Sequence, residues 1–402
     1  MAEKSWRLDR LGALADEWMA ERAIFLSSMH AYLHSHLQHH TQPTLQSLTP
    51  QTYAQASAAI SEQLCDFVRK MEGTAWYSLR SPERMSAFQH DIDATFGAAA
   101  IADAQRLGEL EPPPEYVATH DALRRAIGLE HHILQILKEL QGQFDFGVLR
   151  FTRRLISQIK YLLYPVRNRL PVWQTYWLLN DADVSVCEPP EPHPASGIQR
   201  YDIEEHRGAY SSYVPEYYST DHAWPLILSM HGGSGNDEDF LWTWLKYAKS
   251  RGYLLISAKS FGPTWHAWDT DSVLLILEDM QARYNVDPSR ILLTGLSDGG
   301  SFAYEVGFAH PERFTGLAVV AGILRPHHRS PQASQLPVYI AHGEQDQLFP
   351  IAFIRAVARN LREWGHDVTF HEIPGFGHSY PPGENHAILD WFTTQFSAGS
   401  PS

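Results

Sequence analysis

Apolar residues recur at intervals of three, four or seven through the first 160 or so positions, then change rhythm. Leu11, Leu14, Trp18, Phe25, Met29 and Tyr32 follow that spacing, as do Ile60, Leu64, Phe67 and Met71. Met85, Phe88, Ile92 and Phe96 form a third set, Leu123, Ile127, Leu134 and Leu137 a fourth, and Phe151, Leu155, Ile159 and Leu162 a fifth. Such spacing gathers apolar side chains on one helix face, so the pattern predicts five helices. Ser81-Pro82 supplies a cap and a first-turn proline for the third, and Pro112-Pro113-Pro114 precedes the fourth. From Cys187 to Gly197 the chain reads CEPPEPHPASG, a proline-rich connector. Beyond it come short apolar runs at Leu226–Met230, Tyr253–Ile256, Ile291–Leu293, Leu317–Val320 and Val338–Ile340, alternating with helix-length segments. Runs apolar on both faces predict a mostly parallel sheet covered by helices on each side. Arg200–Glu205 and Tyr210–Val214, joined through His206-Arg207-Gly208, read as an antiparallel hairpin at its leading edge.

Composition sharpens this division. Of 26 glycines and 25 prolines, only 13 in total stand before residue 164, as expected where helices dominate. We therefore expect an all-helical domain over residues 1–190, a linker over 191–199 and an α/β domain over 200–402. The formal charge of −14 and the lack of a dense basic patch speak against nucleic acid or anionic lipid as partners. The longest apolar stretches, such as Gly316–Leu324, fall well short of the roughly 20 residues that span a bilayer. The start MAEKSWRLDR lacks the apolar core of a secretory signal, so a cytoplasmic protein is expected. Cys65 and Cys187 stand far apart and outside any CxxC, which excludes a disulfide framework. His30, His34, His36, His39 and His40 cluster, but with no neighbouring carboxylate or cysteine they read as helix surface. Neither metal nor cofactor is expected.

Chemistry concentrates in the α/β half. Directly after the run ending at Thr294 stands Gly295-Leu296-Ser297-Asp298-Gly299-Gly300, followed by a helical pattern from Phe302. A serine between glycines at a strand-to-helix junction is a nucleophile elbow, which lifts a hydroxyl to the mouth of the sheet. That hydroxyl needs a base, and the base a carboxylate. The run at Val338–Ile340 leads into His342-Gly343-Glu344-Gln345-Asp346, where Asp346 is the candidate acid and Glu344 its competitor. Val368–Ile373 leads into a Gly-rich loop bearing His378, the candidate base. The backbone N–H of Asp298 and of Gly233, in His231-Gly232-Gly233-Ser234-Gly235, would receive an oxyanion, while His231 reads as a loop-holding residue. Trp265 and Trp268 are candidates for substrate contact.

These motifs resemble the α/β-hydrolase fold, and within it the serine esterases similar to dienelactone hydrolases, phospholipase/carboxylesterases and feruloyl esterases. The resemblance rests on PLILSMHGG (Pro225–Gly233), YNVDPSRILLTGLSDGG (Tyr284–Gly300), His342–Pro350 and Gly375–Tyr380, and covers Arg200 to Phe396. It implies Ser297 as nucleophile, Asp346 as acid, His378 as base and a small-molecule ester as substrate. Relatives of this kind often carry methionine or glutamine where this chain has Asp298. An oligopeptidase-type serine peptidase shares fold and triad order, but the front half shows no blade repeats. A helical partner-binding protein with the hydrolase as scaffold is the reading from another class. Only Gly322–Gln335 separates the strand after the nucleophile helix from the next, leaving no room for an internal helical cap. The N-terminal helices are thus expected either to cover the site or to hold a partner or a second copy of the chain.

Overall fold

The computed structural model describes residues 46–47, 49–74, 76–203, 208–325 and 336–397. The expected helix through Leu11–Tyr32, the histidines between His30 and His40, the hairpin turn at 204–207 and most of the Gly322–Gln335 connection lie outside them.

Local signals start the helices where the sequence places them. Helix α1 (Pro50–Glu72) opens on Thr49, whose side chain accepts the Thr52 N–H, with Pro50 in the first turn. It buries Tyr53, Ile60, Leu64, Phe67 and Met71. Helix α2 (Pro82–Ile92) opens on Ser81, whose hydroxyl accepts the Arg84 N–H at 3.2 Å. It continues through a π turn at Asp93–Gly97 into α3 (Ala98–Gly108). Helices α4 (Val117–Glu139) and α5 (Phe146–Leu163) pack side by side, and the short α6 (Pro171–Tyr176) docks on α1, where the Trp173 indole N–H donates to Ser61 O at 3.1 Å. Between α1 and α4, Gln63 donates to the fully buried Glu130 at 2.9 Å.

The back half is an eight-stranded sheet: β1 (Gly197–Ile203), β2 (Gly208–Val214), β3 (Trp224–Met230), β4 (Leu254–Ala258), β5 (Val286–Leu296), β6 (Gly316–Val320), β7 (Val338–Gly343) and β8 (Val368–Ile373). Their spatial order is β8-β7-β6-β5-β3-β4-β2-β1. The β1–β2 hairpin and the β2–β4 pair are antiparallel, and every other pair is parallel. This is the α/β-hydrolase arrangement, with a mostly helical region ahead of it; the expectation of helices alone fails at Leu110–Glu111, which pairs in parallel with Gln46–Ser47 as a short two-stranded sheet. Alternation sorts the strand side chains between two cores. Leu226, Leu228, Leu254, Ile256, Leu293 and Val319 face α8 (Thr270–Arg283), α9 (Asp298–Ala309) and α10 (Ile351–Glu363). Ile227, Leu255, Leu292, Ala318 and Val320 belong to a second core with α7 (Asp237–Arg251) and α11 (Glu384–Ser397).

That second core does not end at the proline-rich connector. It runs on into α1, α4, α5 and α6, so the helical half and one face of the sheet share a single apolar interior. Trp177 meets Trp242 of α7 at 6.0 Å between ring centroids, and Tyr161 meets it at 4.8 Å. Charge is buried in the same seam. Lys249, fully buried, lies 2.5 Å from Glu216 and 3.1 Å from Glu188, while Arg167 reaches both carboxylates at 2.7 Å. Two cations thus meet two anions, with Tyr164 and Tyr213 each donating to Glu216 at 2.6 Å. Among the described residues, no helix is long and apolar enough to cross a membrane.

Candidate active site

Ser297 stands between the end of β5 and the first turn of α9, with φ 55° and ψ −112°, in a region of backbone space that non-glycine residues rarely occupy. Backbone contacts hold it there: its N–H donates to Val320 O at 2.8 Å, and its carbonyl accepts the Ser301 N–H at 2.8 Å. The flanking glycines are steric necessities. A Cβ on Gly295 would overlap the Gly299 carbonyl, and one on Gly299 would overlap the carbonyls of Met230 and His231, so the elbow and the end of β3 fit only without side chains.

The strained turn aims the Ser297 hydroxyl at His378. Oγ lies 2.7 Å from Nε2, and on the far side of the ring Nδ1 lies 2.7 Å from Asp346 Oδ2. An ionised carboxylate can only accept, so Nδ1 carries the proton and Nε2 is left to accept from the hydroxyl. The Phe349 ring stands nearly perpendicular to the imidazole, 5.4 Å between centroids. The loop bearing His378 crosses the end of β7 directly over Gly343, where a Cβ would strike the Phe376 and Gly377 carbonyls. Of the two candidate acids, Asp346 is the one that meets His378. Glu344 is exposed, and its carboxylate takes the Gly375 N–H at 3.4 Å.

Asp346 is saturated with donors. Oδ1 accepts the N–H groups of Leu348 and Phe349 at 2.8 and 2.9 Å, and Oδ2 lies 3.2 Å from Nε2 of His342. Burial would raise this carboxyl, but hydrogen bonds from His342, His378 and the Phe349 N–H outweigh it and hold the group well below the ordinary carboxylate range. His342, the first residue of the loop motif, is thus a second imidazole on the acid, and sequence reasoning assigned it no role. The available signal was its placement four residues before Asp346 at a strand end. Its Nε2–H is shared between Asp346 and the Phe349 carbonyl at 2.8 Å, and its buried Nδ1 has no partner among the described residues.

The loop between β3 and α7 is built as a rigid shelf beside Ser297. His231 is buried; its Nδ1–H donates to Gly232 O at 2.8 Å, and its Nε2 faces the Ser260 hydroxyl at 3.2 Å. Burial pulls its pKa down and favours the neutral ring. The Ser234 N–H donates to Pro263 O at 2.5 Å, and Asn236 caps α7 through the Asp239 N–H at 2.7 Å. Gly233 faces the first turn of α9, where a Cβ on it would lie 3.8 Å from that of Asp298. Neither the Gly233 nor the Asp298 N–H has an acceptor among the described residues.

The two tryptophans take different places. Trp265 is buried, stacked on Phe302 at 5.3 Å, and its indole N–H donates to His231 O at 2.8 Å. Its ring therefore holds the shelf from behind rather than facing an incoming substrate. Trp268 is 54% exposed and pairs with His266 at 4.2 Å. The Asp298 side chain carries a further link that sequence reasoning missed: Oδ2 accepts the Trp265 backbone N–H at 2.7 Å, tying the loop after β4 to the nucleophile helix. Arg325 stands 3.9 Å from its Oδ1.

Comparison with known proteins bears on the α/β half of the chain. Residues 271–395, just under a third of the chain, match the phospholipase/carboxylesterase family. A bifunctional acetylxylan esterase/xylanase of Neocallimastix patriciarum is 26% identical over 152 residues, covering 35% of this chain and 22% of that protein. Acyl-protein thioesterase 1 of Gibberella zeae is 30% identical over 107 residues, covering 24% of this chain and 44% of that protein. The chain thus spans less than half the length of either relative. The crystal structure of a Bacillus cereus carboxylesterase aligns with a TM-score of 0.40 at 18% identity, covering 47% of this chain and 94% of that one. The α/β half resembles the carboxylesterase group of α/β-hydrolases.

Proposed function

We propose that this protein hydrolyses carboxylic esters through an acyl-enzyme on Ser297. The observation that carries the reading is the unbroken line of hydrogen bonds, 2.7 Å from Ser297 to His378 and 2.7 Å from His378 to Asp346, set at a strained elbow. His378 Nε2 takes the hydroxyl proton as Oγ bonds to the ester carbonyl carbon. The carbonyl oxygen becomes an oxyanion beside the free N–H groups of Gly233 and Asp298. The ester C–O bond then breaks, and His378 returns the proton to the departing alkoxide. Water repeats the sequence: His378 takes its proton, the hydroxyl oxygen attacks the acyl carbon, and Ser297 Oγ leaves with the proton returned by His378 as the acid forms. Asp346, kept ionised by its donors, orients the ring and offsets its charge while it is protonated.

In this reading the helical half is a fixed wall of the site rather than a swinging lid. Supporting that, α5 reaches the first turn of α7 directly after the shelf, where Tyr161 donates to Glu238 O at 3.2 Å and Arg154 lies 3.9 Å from Asp239. Covalent labelling of the intact protein by a fluorophosphonate tests the assignment. Ser297→Ala is expected to abolish labelling and to lower kcat by about 10⁴ to 10⁶. Intact protein that fails to label refutes it. A panel of p-nitrophenyl esters of increasing acyl length, with an acyl thioester and an aminoacyl p-nitroanilide alongside, then defines the leaving group. Faster turnover of the anilide than of the esters would assign a peptidase instead.

A further inference from the structure

Outside the serine site, the seam between the two halves holds a half-open pocket of about 370 Å³, walled by α1, α5, α6 and α7. Its lining carries more cations than anions. Arg69, Lys160 and Lys246 bring three cations, against the single carboxylate of Glu72. That carboxylate is already used: Lys160 holds Oε1 at 2.6 Å, and the Tyr176 hydroxyl donates to Oε2. Arg69 has a partner in Asp66 at 3.3 Å, outside the cavity wall. Lys246, half-buried, has neither an ion pair nor a hydrogen bond among the described residues. Burial and the like charge of Arg69 pull its pKa below the ordinary lysine value, against the opposing pull of the Glu72 carboxylate. Aromatic rings stand beside the cations. The Lys160 ammonium sits 5.2 Å over the Trp242 ring, and the Arg69 guanidinium 5.9 Å over that of Tyr176.

An unpaired, half-buried cation costs stability unless something supplies the missing negative charge. In a chain of net charge −14, an accidental surplus of cations around one cavity is the less economical explanation. We propose that this cavity binds a small organic anion, with a phosphate or carboxylate group held by Lys246 and an aromatic or apolar body against Trp242 and Tyr176. The site is separate from Ser297 and does not depend on the serine chemistry. Occupancy would bridge α1, α5, α6 and α7, and so stiffen the seam that flanks the shelf.

The test uses the full chain and its Ser297→Ala form, which removes any reaction at the elbow. Thermal unfolding is followed against phenyl phosphate, benzoate and inorganic phosphate, with sodium chloride at matched ionic strength and benzyl alcohol as controls. Phenyl phosphate or benzoate is expected to raise Tm saturably, as a ligand of the native state must, while neither control does. Which of the two binds more tightly tells phosphate from carboxylate. Lys246→Met is expected to be at least as stable as the parent without ligand, and to bind at least about tenfold more weakly. Thr243→Glu, which adds a carboxylate to the same wall, is a second variant with the same expected loss. No saturable rise with any of the three anions up to about 10 mM overturns the proposal, and so does a rise unchanged in both variants.

Discussion

At the scale of single residues, the site depends on side chains that never touch the reacting atoms. Asp298 shows this best. Its N–H is free beside Ser297, while its carboxylate is committed to the Trp265 N–H and so to the shelf. An amide oxygen can accept that N–H as a carboxylate does, and a leucine cannot. Asp298→Asn is therefore expected to keep kcat/KM within a few-fold, and Asp298→Leu to lose about tenfold, mostly in kcat, the size of one lost charge-assisted hydrogen bond. Steady-state kinetics on one p-nitrophenyl ester decides it, and equal losses in the two variants would deny the clamp. Ser297, Asp346 and His378 were each legible from sequence because strand, glycine and loop announce them in order. His342 and the Asp298 carboxylate were not, because their roles rest on which atoms meet after folding, and no local spacing encodes that meeting.

Among elements, the helices follow their hydrophobic spacing and caps closely, since Ser81-Pro82 is the start of α2 and Ile60, Leu64, Phe67 and Met71 are its neighbour's buried stripe. Strands were visible as apolar runs but too short by a few residues. β5 extends back to Val286 because that residue pairs with Trp224 of β3, the polar stretch 287–290 bulging before Ile291 meets Leu226, a contact that periodicity does not report. Glu130 is the element-scale exception, a carboxyl on the inner face of α4 with burial pushing its pKa up to about 8. Its folded pKa exceeds the unfolded value of roughly 4.3, so the folded chain holds the extra proton. The stability it contributes is full below about pH 4 and lost progressively as pH rises towards 8. Glu130→Gln cannot titrate. The Tm of that variant relative to wild type should therefore climb between about pH 5 and pH 8, then level off; a constant difference would mean that Glu130 is ionised throughout.

For the whole molecule, the prolines at Pro189–Pro194 suggest a hinge by composition, while the packing around them argues for one cooperative body. Lys249, Glu216, Glu188 and Arg167 form a closed set of buried charges from both sides of that connector. Lys249→Met leaves two carboxylates facing one cation and is expected to cost about 3 to 5 kcal/mol in denaturant unfolding. Residues 191–402 expressed alone would bare the apolar face of α7, including the fully buried Trp244, and are expected to be insoluble or molten by near-UV circular dichroism. A soluble, active fragment would instead make the helical half a separable module. Specificity, in the fixed-wall reading, would then change by altering the α5–α7 contact in place rather than by exchanging domains.

The tryptophans of the seam also make it a source of signal. Trp173 lies 5.3 Å from Trp177, which lies 6.0 Å from Trp242, with ring planes inclined by 40° and 33°. Indoles so close and so inclined couple their electronic transitions, giving paired circular-dichroism bands of opposite sign that vanish when the rings part. The protein thus carries an unlabelled optical ruler across its two halves. On heating, that ruler would reveal whether the halves part before the serine site stops turning over.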